Sequence, residues 1–143
     1  MRKVAATLCL LSAMLALSIT TARAGEGDVL RCVVADFRYG GPDDGPDPAF
    51  EAVNRAKIFD IVERRDRFTV IMHSDQAEPA TNEYMIIERT GVSTIAAEAP
   101  IVFSKTLVVS DDPDPRDGQI KATIVLQGES FVNIWYLDCA PSK

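Results

Sequence analysis

Histidine is nearly missing from this chain. His73 is the only one in 143 residues, so a Ser-His-Asp or Cys-His nucleophilic site would have to use it. No G-x-S-x-G elbow stands anywhere to present a serine. Ser74 and Asp75 follow His73 directly, but adjacent residues at a strand end point in different directions, and a triad is defined by geometry. His73 is therefore read as an ordinary strand-end residue, and no catalytic residue is assigned. Cysteine is scarce as well, with Cys9, Cys32 and Cys139 the full set. A zinc site needs more His and Cys ligands than this chain can spare, so no metal or cofactor is expected. Asn54, Asn82 and Asn133 all lack the third residue of an N-x-S/T sequon.

Positive charge is in deficit. The whole chain carries 15 Lys and Arg against 21 Asp and Glu, a net charge of −6. Nucleic acids and anionic membrane surfaces both demand a basic footprint, so this balance argues against them and toward a basic partner. No βαβ alternation appears, which argues against a parallel α/β fold.

What is present begins with a leader. Arg2 and Lys3 precede an apolar run from Val4 to Ile19, and Ala22-Arg23-Ala24 is a small-residue cleavage box before polar Gly25-Glu26-Gly27-Asp28. The expectation is a signal peptide over residues 1–24 and a single domain over 25–143, with no membrane span after cleavage. Cys9 lies inside the apolar run rather than at its far end, which argues against a lipid-modified cysteine. Loss of Arg2, Lys3 and Arg23 leaves 12 basic residues against 21 acidic ones, a net charge of −9. Export, periplasmic or secreted from a bacterium, implies an oxidising compartment. Cys32 and Cys139 would then be the only two cysteines left, and they are expected to form a disulfide.

Strand signals dominate the rest. The expected strands are Val29–Phe37, Lys57–Glu63, Phe68–His73, Glu83–Arg89, Val92–Glu98, Ile101–Ser110, Gln119–Gln127 and Phe131–Cys139. Residues 74–81 read as a polar connection. Asp47-Pro48 reads as an N-cap with proline at N1, opening one short helix over Ala49–Ala56. Ile120, Ala122, Ile124 and Leu126 alternate with Lys121, Thr123, Val125 and Gln127, a half-buried strand pattern. About eight strands joined by short turns predict an all-β domain, a single antiparallel barrel or sandwich with one short helix. Either architecture would bring the terminal strands, and the two cysteines, together.

Two acidic loops carry the densest polar chemistry: Asp43, Asp44 and Asp47 in one, Asp111, Asp112, Asp114 and Asp117 in the other. Arg116 occupies a ligand position of the EF-hand pattern begun at Asp112, so turn chemistry rather than calcium is expected. Arg64, Arg65 and Arg67 form the one basic cluster, able to dock a carboxylate or phosphate. Tyr136 faces away from Trp135 on the last strand and is a candidate interaction residue if exposed. Trp135 itself is expected to pack near the disulfide.

The layout of leader, short β-domain and terminal cysteine pair is similar to that of bacterial periplasmic lysozyme inhibitors, which are small β-barrels. That family's Ser/Gly-rich inhibitory motif is not found here, so the resemblance carries no residue over. The expected function is a non-catalytic binding or interaction module with a protein or small-molecule partner, an inhibitor of a basic enzyme being one version. The alternatives are a small hydrolase using His73 or paired carboxylates, and a purely structural envelope component.

Overall fold

A computed structural model describes residues 26–42, 45–98 and 104–142. The expected leader lies outside them, as do Asp43, Asp44 and the start of the strand expected from Ile101. The described chain forms a closed antiparallel barrel of eight strands in sequence order, β8 returning to pair with β1. The strands are β1 (Val29–Gly40), β2 (Ile58–Glu63), β3 (Arg67–Ser74), β4 (Ala77–Arg89), β5 (Ser93–Ala97), β6 (Ser104–Ser110), β7 (Ile120–Gln127) and β8 (Val132–Pro141), with one helix, α1 (Pro48–Arg55), between β1 and β2. Of the two architectures open to the sequence, the barrel is the one formed. Ten residue pairs from Leu30↔Pro141 to Gly40↔Val132 close it.

The register follows from which residues must leave water. Phe68 and Tyr84 pair across β3 and β4, Leu107 and Ala96 across β5 and β6, and Ile124 and Trp135 across β7 and β8. All six are buried, and a slip by one residue would turn each outward. Cys32 sits opposite Cys139 in the β1–β8 seam and is bonded to it. The bond therefore fastens the closing seam of the barrel.

Turns obey local chemistry. Gly91 takes φ +86° in the β4–β5 turn, a left-handed conformation that favours glycine, and Thr90 N donates to Ser93 O at 2.9 Å to close it. Asp47 caps α1 by accepting from Ala49 N at 3.0 Å, with Pro48 in the first turn. The helix lays Phe50 against Phe37 and Tyr39, both ring pairs at 6.0 Å.

The expectation for residues 74–81 is corrected. Only a tight turn at residues 75–76 separates β3 from β4, and Pro79 lies inside β4. Ser74 pairs with Ala77 and Met72 with Ala80, so Glu78 and Pro79 together oppose His73. A bulge is one of the few places where a strand accepts a residue with no N–H.

Candidate functional site

The two ends of the barrel differ. Strands β1, β3, β5 and β7 start at one end and finish at the other, so the turns at residues 64–66 and 90–92 and the loop at 111–119 share the first end. That end is plugged. Arg89 donates to Glu63 at 2.7 Å and to Thr94 Oγ1 at 3.4 Å, and Thr94 Oγ1 donates to Asp111 at 3.0 Å. The gap left under this network is about 20 Å³, room for about one water.

The opposite end holds a cavity of about 240 Å³. Phe59, Val70, Met72, Ile124 and Leu126 give it an apolar wall. It stays unfilled because the inward position on β4 level with Met72 is Ala80, the smallest side chain that could stand there. Met72, Ala80 and Leu126 retain partial exposure, so the cavity communicates with solvent. β5 pairs with β4 only from Met85 onward. Lys105 on β6 donates to Asn82 on β4 at 2.8 Å and pairs with Glu98 at 2.7 Å.

Trp135 stands at the inner edge of this cavity, 5.4 Å from Phe37 and 6.3 Å from Phe59. Phe59, which Trp135 meets, is the strand partner of Cys32 on β1. Trp135 and Cys139 share the inner face, but four residues of strand separate them by about 13 Å. The indole Nε1 is buried and has no hydrogen-bond partner among the described residues. Lys57 Nζ lies over the indole, 5.1 Å from the ring centre, a cation–π arrangement. Lys57 also donates to Asn54 Oδ1 at 2.8 Å, while Asn54 is itself tied to Phe50 O at 2.9 Å. Among the described residues no carboxylate pairs with Lys57, and burial pushes its pKa below the ordinary lysine value. Burial pushes the Tyr84 phenol up, with the nearby Glu98 charge adding to the effect, so Tyr84 enters the cavity wall as a neutral group.

The residues singled out from sequence stand elsewhere. His73 Nε2 meets Asp60 Oδ2 at 2.8 Å, and Arg31 reaches the other oxygen of Asp60 at 3.5 Å. Asp60 alternates with buried Phe59 and Ile61, which puts this cluster on the outer wall. It offers an imidazole and an orienting carboxylate, but no hydroxyl or thiol is hydrogen-bonded to it among the described residues. Ser74 Oγ instead accepts from Gln76 N at 3.3 Å.

Arg64, Arg65 and Arg67 lie at the plugged end, where Arg67 is engaged by Asp66 at 3.0 Å. Tyr136 is exposed on the outer wall opposite Asp36 and Thr123, in the middle of β8. Tyr136 and the arginines are not brought together.

The acidic loops sit at opposite ends of the barrel. Asp47 is the helix cap, and Asp43 and Asp44 lie outside the described residues. In the second loop, Asp114 accepts from Arg116 N and from the Arg116 guanidinium, which holds its pKa well below the usual carboxylate range. Asp117 accepts from Gln119 N and from Lys121. Both carboxylates therefore form side-chain-to-backbone turns. Among the described residues no three His, Cys, Asp or Glu side chains gather in a way that could hold a metal ion.

No protein-family model matches this chain, and neither a curated protein nor a solved structure shows significant similarity to it.

Proposed function

We propose that this protein is an exported, non-catalytic binding module that holds a small molecule in the open end of its barrel. The observation that carries the reading is the asymmetry of the interior: a space of about 20 Å³ under an ion-paired plug at one end, and about 240 Å³ bounded by apolar walls and a few polar groups at the other. A mostly apolar concavity with sparse, placed polar groups is the usual form of a small-molecule site. Its volume falls below the roughly 300–1,000 Å³ common for drug-sized ligands, so the ligand is compact. Among the described residues no nucleophile is hydrogen-bonded to the outer Asp60–His73 pair, which favours binding over hydrolysis.

The chain has a single tryptophan, so its emission reports on the cavity. Titration with 1-octanol, a small apolar probe, is expected to change Trp135 fluorescence saturably. Ala80→Phe, which fills the cavity from β4, is expected to abolish the response while keeping a cooperative melt. No saturable change in the wild-type protein would overturn the reading.

Export belongs to the same proposal. The apolar run ends at the box Ala22-Arg23-Ala24, so the exported protein is expected to begin at Gly25. Intact-mass measurement on protein recovered from the periplasm or medium checks this. Retention of Met1 in that fraction would contradict it.

A further inference from the structure

Resting on the reading of the open end as a ligand site, we infer that the cavity selects a compact amphipathic carboxylic acid, its apolar body against Ile124, Leu126 and Met72 and its carboxylate on Lys57. Lys57 is the reason. Its ammonium stands half-buried at the cavity edge with one neutral acceptor, Asn54 Oδ1, and the indole face of Trp135. A cation withdrawn from water without a counter-charge is costly, and a ligand carboxylate would supply that charge. The other lysine at the site, Lys105, is already neutralised by Glu98 at 2.7 Å. Among the described residues, one positive charge without a carboxylate partner thus faces an apolar chamber, which matches a monoanion with an apolar tail.

Two further features agree. The desolvation that lowers the Lys57 pKa would be offset by an adjacent anion, which favours the charged amine. The nearby indole Nε1 is a buried donor with no partner among the described residues, a second donor beside Lys57. The negative charge of the whole chain does not decide the matter. Exposed charges are screened beyond about 8 Å at physiological salt, whereas an ion pair at Lys57 would form at contact distance in a partly dry site.

The experiment compares octanoate, ionised at pH 7, with 1-octanol, its neutral counterpart. Both are titrated against the full mature chain by Trp135 fluorescence and calorimetry. The wild-type protein is expected to bind octanoate roughly tenfold or more tightly than octanol, the usual gain for a partly desolvated charge-assisted pair. Lys57→Met keeps the aliphatic stem and removes the charge. It is expected to bring octanoate down to the level at which the same variant binds octanol, and a cooperative melt reports that the variant is folded. Lys57→Arg is expected to retain the preference. Should Lys57→Met fail to fold, Lys57→Gln takes its place with the same expectation. Equal binding of both probes by the wild-type protein, or an octanoate preference that survives loss of the charge, would overturn this inference and leave the cavity reading standing. Binding of neither probe would overturn the cavity reading itself, and this inference with it.

Discussion

Reducing the Cys32–Cys139 bond is expected to lower the free energy of unfolding by about 4–5 kcal/mol, the chain-entropy value for a loop of this size. The bond spans 107 positions of sequence, so it restrains nearly all of the described domain in the unfolded state. It also joins directly paired residues of β1 and β8, the seam whose opening would turn the closed barrel into a sheet with two free edges. Both cysteines are buried, so reduction should require denaturant or local opening. Urea unfolding of the oxidised and reduced forms measures the difference. A loss below about 1 kcal/mol would mean that the β1–β8 ladder alone sets the stability of the seam.

A second large effect separates the packed and unpacked parts of the interior. Ile61→Ala is expected to cost about 3–4 kcal/mol, since a buried Ile→Ala change loses transfer energy and leaves a cavity in a core that relaxes only partly. Ile61 is fully buried between the seam and β3. Leu126→Ala, a similar change in volume, is expected to cost only about 1 kcal/mol, because that side chain borders space already open and retains partial exposure. Paired chemical melts test the ranking. Equal costs at the two sites would mean that the open end is as tightly packed as the middle of the barrel.

Much of the fold is legible in the sequence because most strands keep strict alternation. β7 is the clearest case, with Ile120, Ala122 and Ile124 buried and Lys121, Thr123 and Val125 only partly so. The helix is equally legible, since Asp47-Pro48 supplies its own cap. Bulges hide the rest. In β1, Leu30 and Cys32 face inward, then Ala35 is inserted between Val34 and Asp36, opposite the Leu137–Tyr136 step of β8, and the inward set becomes Phe37 and Tyr39. A change of parity inside one strand cannot be read from period two, which is why the strand appears to stop at Phe37 when it runs to Gly40. Pro79 masks the start of β4 for a related reason: it reads as a breaker, and only the bulge opposite His73 makes it tolerable.

The candidate site was less legible than the fold. Lys57, Asn82, Lys105 and Trp135 are scattered over four segments, and attention falls first on His73, the arginines and the acidic loops. A signal does exist. Asn82 shares the inward parity of Tyr84, and Lys105 that of Leu107, so two polar residues stand at core positions. Ala80 stands where its neighbours carry large side chains. Polar and small residues at inward positions, clustered toward one end of consecutive strands, point to a cavity rather than a packed core. That clustering emerges only once the strand registers are known.

Backbone and indole N–H resonances followed during an octanoate titration report directly on whether the open end of the barrel is a ligand site. Shifts are expected to centre on the Trp135 indole and on Lys57, Asn82 and Leu126. No change is expected at Arg89 and Thr94 under the plug or at Tyr136 on the outer wall. Shifts that trace the outer wall while the Trp135 indole stays still would contradict a ligand site at that end.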